Sequence, residues 1–199
     1  MDKVGVAFHP GTNGSTEPTG RYIIAVTPDG QRSMSTFLGA ASLLEPADIS
    51  REAVQAGAVL FLEGYLFDRD EAKAAFKVAS KYAHEAGRKV ALTLSDSFCV
   101  DRHREDFLDL ILNDIDVLFC NEFELQSLYQ TSYEEALEQL RNDCEFGAVT
   151  RDKRGSVVIN GHDLVHIEPE PVERVVDATG AGDQYAAGFL YGFTRGMAI

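Results

Sequence analysis

From residue 48 onward, short apolar runs alternate with longer segments whose apolar residues recur at helical spacing. A short apolar run is typical of a buried strand, and helical spacing is typical of a helix with one buried face. The pattern predicts strands at 58–62, 90–94, 115–120, 148–150, 156–160 and 163–167, and helices at 70–86, 104–112, 122–129 and 134–141. Because this alternation favours parallel pairing with helices on both faces, we expect an α/β fold with a mostly parallel sheet.

The beginning of the chain differs, because strand-like runs and turn residues dominate it. Strands are predicted at 4–8, 22–26 and 31–36, and Pro28-Asp29-Gly30 separates the last two. Pro presets one turn dihedral and Gly accepts a positive φ, so this tripeptide predicts a β-hairpin. We therefore divide the chain into a mostly β segment with its connection at 1–40 and an α/β core at 41–199.

The composition limits the classes of ligand. The 199 residues carry 32 acidic and 18 basic side chains, which gives a formal net charge of -14. Nucleic-acid binding depends on clustered Lys and Arg, so we expect no nucleic-acid partner, although backbone amides or a cation can still bind a small anion. No apolar run is long enough for a bilayer, and no secretory signal is visible. Cys99, Cys120 and Cys144 form no Cys-x-x-Cys pair, which indicates reduced cysteines in a cytoplasmic protein.

The predicted strands of the core end in polar residues. These ends are 63–65, 95–96, 121–124, 150–152 and, after the strand-like Val175-Val176, residues 177–180. In open α/β sheets, ligands bind outside the carboxyl ends of the strands. Any single polar end is explained equally well as a cap or a helix start. Five such ends in one series favour a shared binding cleft.

Gly180-Ala181-Gly182 stands directly before Asp183 and an apolar segment with helical spacing. Small residues at a helix start let backbone amides approach an anion, and the helix N-terminus adds partial positive charge. A carboxylate there suits a base that accepts the proton of a substrate hydroxyl while the amides stabilise a transferring phosphoryl group. The alternative is a glycine-containing turn with Asp183 as N-cap. The sequence has neither a Gly-x-Gly-x-x-Gly fingerprint nor a P-loop lysine.

The heptad Asp177-Ala178-Thr179-Gly180-Ala181-Gly182-Asp183 resembles the signature of the ribokinase-like, or PfkB, carbohydrate and nucleoside kinases. The resemblance covers nearly the whole chain. It implies a ribokinase-like three-layer αβα fold with a small β lid, formed by the predicted hairpin. It also implies that Asp183 is the catalytic base and that Gly180, Ala181 and Gly182 form an anion hole.

Further motifs extend the resemblance. Asn121-Glu122-Phe123-Glu124 matches the family's Asn-x-x-Glu motif, which implies that Asn121 and Glu124 support Mg²⁺ through water. Residues 150–155 stand at the family's nucleotide loop, which implies contacts between ATP and Thr150, Arg151 and Gly155. Asp177 and Thr179 lie where a monovalent cation, K⁺, often binds in the family. Residues 26–32, 36–40 and 62–65 resemble the adenosine-kinase-like bacterial branch.

Two departures from the family pattern stand out. Asp152 replaces the first Gly of the nucleotide loop, and the neighbouring Arg151 either supplies positive charge there or is simply solvated. Relative to the family, the chain also begins after the first strand with its Gly-rich substrate segment and ends before the elements that follow the signature. We therefore expect a fragment or a short gene product. Alone it should aggregate or form a homodimer through exposed surface, with no measurable kinase activity.

These observations predict ATP-dependent phosphorylation of a primary hydroxyl on a nucleoside or sugar. The five histidines show no ligand spacing, so no transition-metal site is expected. The alternative is a non-catalytic module that binds nucleotide or a partner without turnover, and phosphate transfer distinguishes the two. Adenosine and ribose- or fructose-type sugars stay open as substrates, because most substrate-reading residues are expected upstream of residue 1.

Overall fold

A computed structural model describes residues 2–9 and 16–198. The strands are β1 (Thr19–Val26), β2 (Arg32–Gly39), β3 (Val59–Glu63), β4 (Lys89–Thr93), β5 (Val117–Asn121), β6 (Phe146–Thr150), β7 (Ser156–Asn160) and β8 (Asp163–Ile167). The helices are α1 (Arg51–Ala56), α2 (Asp70–Glu85), α3 (Ser97–Asp114), α4 (Glu122–Tyr129), α5 (Tyr133–Asp143) and α6 (Ala181–Phe193). Within the described ranges, no helix is both long and apolar enough to cross a membrane.

Six strands form the central sheet in the order β3-β4-β5-β6-β7-β8. The first four are parallel, and β7 and β8 are added antiparallel at one edge. Near-continuous apolar residues in β4 and β5 suit strands that are buried on both faces. The predicted mostly parallel sheet is therefore confirmed, and its parallel strands all end at the same edge.

Alternate residues of the central strands enter two separate cores. Along β4, Val90 and Leu92 belong to the core under α2 to α5, whereas Ala91 belongs to the core under α6. This period of two is what strand geometry requires. On the α6 side, the Phe119 and Phe189 rings meet edge to face with centroids 5.3 Å apart. The predicted three-layer αβα arrangement is confirmed.

The two faces of the sheet are covered unequally. Of the described helices, α2 to α5 lie on one face, and α6 packs on the other. Beside α6, a cleft of about 490 Å³ opens toward β7 and β8. Its lining is mainly apolar and includes Val158, Ile167, Phe189, Phe193 and Met197. Apolar surface is therefore left accessible on this side.

Strands β1 and β2 form the predicted hairpin, which pairs antiparallel from Thr19↔Gly39 to Val26↔Arg32. The turn is closed by a hydrogen bond from the Thr27 amide to the Gln31 carbonyl oxygen at 2.8 Å. Gly30 has a φ of +82°, and a Cβ atom there would lie 3.0 Å from Val175 Cγ1. The tip of the hairpin therefore packs against the segment that leads into α6.

Three predicted elements differ from the structure. Residues 4–8 form no strand, because their exposed side chains have no neighbouring strand to pair with among the described residues. Val175-Val176 is likewise exposed and irregular. Helix α3 begins at Ser97 rather than near 104, because the Asp96 carboxylate caps it by accepting the Cys99 amide hydrogen at 2.9 Å. The predicted start coincides with a break at His103, where φ is -126° and ψ is 26°.

Gly64, directly after β3, provides a test of this packing. A Cβ atom at Gly64 would lie 2.8 Å from the Leu94 carbonyl oxygen and 2.9 Å from Phe107 Cζ. Gly64→Ala should therefore lower the free energy of unfolding by roughly 1–3 kcal/mol in urea denaturation. Gly57→Ala is the matched control, since its nearest contact would be an ordinary 3.5 Å and its φ is -74°. Equal stability of the two variants would contradict this packing.

Candidate functional site

The four parallel strands place polar groups along one edge of the sheet. Glu63 and Thr93 are register partners at the ends of β3 and β4, and Asn121 and Thr150 are partners at the ends of β5 and β6. Asp96 follows β4 at the start of α3. Four of the five predicted strand ends therefore lie side by side, whereas residues 177–180 follow no strand.

Asn121 and Glu124 bind each other at the junction of β5 and α4. Asn121 Oδ1 accepts hydrogen bonds from the Phe123 and Glu124 amides, both at 2.9 Å. In return, both Glu124 carboxylate oxygens accept from Asn121, at 2.7 Å from Nδ2 and 2.9 Å from the backbone amide. This reciprocal pattern is a capping box, and it satisfies the orphan amides of the first helical turn. The predicted metal-supporting pair is thus one preorganised unit.

The Glu124 carboxyl group is nearly removed from solvent, with 6% of the residue exposed. Its pKa is raised to about 7, mainly by burial and to a smaller extent by the negative charge of Asp96, while the hydrogen bond from the Asn121 amide opposes the rise. Asn121 and Glu124 offer the oxygen atoms that Mg²⁺ prefers.

The heptad 177–183 forms the entrance to α6. Gly180 is the N-cap with a left-handed φ of 74°, a conformation that glycine adopts without strain. No side chain caps this end of α6 in the part of the chain that the structure describes. A Cβ atom at Gly182 would meet nothing within 4 Å, so the space in front of the first turn is open. The Ala181 amide donates to the Ala178 carbonyl oxygen at 3.2 Å, so the amides of Gly182 and Asp183 are the ones in this turn that can face an anion.

Asp183 in the first turn of α6 faces the acidic edge of the sheet. The pKa of Glu63 is raised by desolvation and then by the charge of Asp183. The pKa of the Tyr65 hydroxyl is raised by burial first and then by the charges of Asp96, Glu124 and Asp183. Asp183 and Glu124 therefore both lie within electrostatic reach of Tyr65, although 59 positions of sequence separate them.

The loop at 150–155 keeps a glycine-like backbone despite its sequence. Asp152 has a φ of 51°, in the left-handed region that Asp tolerates better than most residues. Gly155 has a φ of 75°, and a Cβ atom there would lie 2.0 Å from the Ile167 carbonyl oxygen. Thr150 ends β6, with its hydroxyl 3.5 Å from the Cys120 carbonyl oxygen. The replacement of Gly by Asp therefore leaves the turn itself intact.

The surroundings of Arg151 are not those of a solvated side chain. Its guanidinium lies 4.1 Å above the centroid of the Tyr133 ring, and its Nε lies 3.6 Å from Glu122 Oε2. Its side chain is 19% exposed. Arg151 is therefore held by protein groups rather than solvated, and its charge is shared with Glu122.

Asp177 and Thr179 lie together in the turn before α6. The Thr179 amide donates to Asp177 Oδ1 at 2.8 Å. The pKa of the Asp177 carboxyl is lowered by hydrogen bonding from the Thr179 side chain and then from its amide, and the charge of Arg32 lowers it further. Arg32 Nη1 also donates to the Ala178 carbonyl oxygen at 2.8 Å. The sequence did not predict Arg32 as a site residue, because a bond to a distant backbone carbonyl leaves no local pattern. Among the described residues, no group of three or more His, Cys, Asp or Glu could hold a metal ion.

Comparison with known proteins is consistent with this geometry. Residues 1–199 match the family model described as pfkB family carbohydrate kinase. The chain is similar to an adenosine kinase from Sinorhizobium meliloti (48% identity, TM-score 0.88) and to a probable sugar kinase from Rhizobium etli CFN 42 (46% identity, TM-score 0.88). Each match covers 91% of this chain and 56% of the other. A putative ribokinase II from E. coli in complex with ATP and Mg²⁺ shares the fold at 19% identity and a TM-score of 0.81, over 92% of this chain and 60% of its own.

The raised pKa of Glu124 predicts a pH dependence of stability. Its folded pKa of about 7 exceeds the ordinary 4.5, so the folded protein binds the proton more tightly. The resulting stabilisation is complete below the ordinary pKa and is lost as pH rises through about 7. In metal-free buffer, urea unfolding should show a loss on the order of 2 kcal/mol from this group between about pH 5 and pH 8.

Glu124→Gln should remove that part of the slope, because the side chain is then neutral at both pH values. The exposed Glu134 on α5 provides the control, and Glu134→Gln should keep the wild-type slope. A Glu124→Gln slope equal to that of wild type would show that the carboxyl is not held in its neutral form.

Proposed function

Because the chain belongs to the PfkB family of carbohydrate kinases, we propose that it takes part in ATP-dependent phosphorylation of a primary hydroxyl on a nucleoside or sugar. The chain spans little more than half the length of the relatives described above. The activity is therefore proposed for the whole protein to which this sequence belongs. One observation carries the proposal. The N-terminus of α6 has no side-chain cap and carries Asp183 in its first turn, and the charges of Asp183 and Glu124 both act on Tyr65, which supports a shared site.

The chemistry proposed for this edge needs two functions from the residues at the entrance to α6. Asp183 accepts the proton of the substrate hydroxyl as that oxygen attacks the phosphoryl group. The amides of Gly180, Ala181 and Gly182 stabilise the negative charge on the phosphoryl oxygens. The Gly182 amide is fixed in the first turn of a helix and needs little reorganisation during the transfer, whereas the Ala181 amide must first release the Ala178 carbonyl oxygen.

ATP and Mg²⁺ are the cofactors of this proposal. Asn121 and Glu124 would hold Mg²⁺ through water, since their oxygen atoms are already committed to each other but keep further lone pairs. Bound Mg²⁺ would neutralise charge on the phosphates. The residues proposed to contact the nucleotide are Thr150, Arg151 and Gly155. The complex of the E. coli protein with ATP and Mg²⁺ supports the choice of cofactors.

The proposal extends to a cation and to the protein's surroundings. K⁺ is proposed to bind beside Asp177 and Thr179, in the turn that the Arg32 guanidinium also contacts. The hairpin of β1 and β2 is proposed to act as the substrate lid, because its tip and Arg32 contact the segment before α6. The three free, buried cysteines agree with a cytoplasmic location. The apolar cleft beside α6 is the surface through which we propose that this chain alone would form a homodimer.

Asp183→Asn tests the proposed base. Asn keeps the size of the side chain but cannot accept the proton, so kcat should fall by roughly 10²–10⁴ in a catalytically active form of the protein. The Kd for ATP should change little, because the amides of α6 stay in place. ATP-to-ADP conversion with adenosine and several sugars gives kcat, and a titration gives the Kd. Near-normal turnover would refute the role of Asp183, and a wild type that binds ATP without turnover with any acceptor would favour the non-catalytic alternative.

Gly182→Val tests the anion hole separately. The introduced side chain would meet no protein atom within 4 Å at its Cβ, so it should enter the open space in front of α6 rather than disturb the fold. ATP binding and kcat/KM should both fall, while the melting temperature stays close to that of wild type. Gly188→Val, at a similarly open position in the same helix, is the control and should keep ATP affinity. An unchanged kcat/KM in Gly182→Val would show that the loop is only a turn.

A further inference from the structure

Glu122 connects the first turn of α4 to the loop at 150–155, although its position in the sequence predicted no role. Its side chain is 11% exposed, and its Oε1 accepts a hydrogen bond from Arg154 Nη2. Its Oε2 lies 3.6 Å from Arg151 Nε. One buried carboxylate therefore contacts both arginines of the loop.

The two arginines are held differently. Arg151 is stacked on Tyr133 and mostly covered, whereas the Arg154 side chain is 57% exposed. Because two guanidinium groups share one carboxylate, the cluster keeps a net positive charge. Lys153 lies in the same loop, so the three basic residues at 151, 153 and 154 outnumber the carboxylates of Asp152 and Glu122. Glu122 thus fixes the arginines without cancelling their charge.

The loop itself is a closed turn. The Arg151 amide donates to the Gly155 carbonyl oxygen at 2.8 Å, and the Gly155 amide donates to the Asp152 carbonyl oxygen at 3.1 Å. On one side, Gly155 packs against the Ile167 carbonyl oxygen at the end of β8. On the other side, the loop is held by Glu122. Beyond the pairing of β6 with β5, Glu122 is thus the side chain of α4 that holds both arginines of the loop.

We propose that Glu122 is a positioning residue that sets the nucleotide loop against the Asn121–Glu124 pair and so aligns the nucleotide with its Mg²⁺. The inference rests on the proposed function. Glu122 lies in the same helical turn as the pair, so this turn holds both the metal-supporting groups and the loop. A solvated ion pair would contribute little, but a buried carboxylate is costly unless it is paired. The arrangement therefore resists movement of the loop.

Glu122→Gln tests this inference with three measurements. Hydrogen exchange of the amides of Arg151, Arg154 and Gly155 should become faster, because the turn is released from α4. The Kd for Mg²⁺·ATP should rise about tenfold, as for other residues that orient a metal or ligand site from behind. In a catalytically active form, the KM for ATP should rise while kcat and the KM for the phosphate acceptor stay within about twofold of wild type. A residue with only a structural role would not raise the KM for ATP while leaving kcat and the KM for the acceptor unchanged.

Two further variants make the test decisive. Arg154→Gln removes the exposed partner with little risk to folding, and it should accelerate loop exchange in the same way. Glu85→Gln, which breaks the ion pair with Arg51 on α1, is the control and should change neither loop exchange nor ATP affinity. Unchanged loop exchange or unchanged ATP affinity in both Glu122→Gln and Arg154→Gln would overturn the inference alone. A wild-type protein that binds no ATP would overturn the proposed function and this inference with it.

Discussion

The capping box between Asn121 and Glu124 is the interaction on which the site depends. Strand β5 ends at Asn121 and α4 begins at Glu122, so no loop separates the sheet from the helix. Without such a loop, the amides of the first turn need partners at once, and the Asn121 side chain supplies them. The buried Glu124 carboxyl is satisfied in the same way. One reciprocal contact therefore joins the central strand, the start of a helix and a buried acidic group.

The backbone of the core could be predicted from the sequence, because its signals are local and periodic. The core strands and α2, α4 and α5 follow the predicted ranges to within two residues. The first turns of α3 were missed, because Phe98-Cys99-Val100 has no helical spacing and only the Asp96 cap marks the start. Residues 4–8 have the composition of a strand, but composition does not show whether a neighbouring strand exists.

Local patterns revealed the site only in part. The heptad and the Asn-x-x-Glu motif indicated where polar groups gather, and the same Asn-x-x-Glu spacing is that of a capping box. The contacts of Glu122 with the arginines span about thirty residues, and that of Arg32 with Ala178 spans 146. Such contacts depend on how the strands align, so no window of sequence contains them. The stacking of Arg151 on Tyr133 was hidden for the same reason.

The hairpin is attached at both ends, and this limits how it can move. At its open end Gly39 continues directly into the short helical turn Ala40–Leu43, while at its tip Gly30 packs on Val175 and nearby Arg32 binds Ala178. A flap attached in this way cannot rotate about a single hinge unless the irregular segment before α6 moves with it. Ordering either segment restricts the other, so the entropy lost by one lowers the entropic cost for the second. The hairpin and the entrance to α6 are thus thermodynamically linked, so binding or ordering at either one changes the conformational freedom of the other.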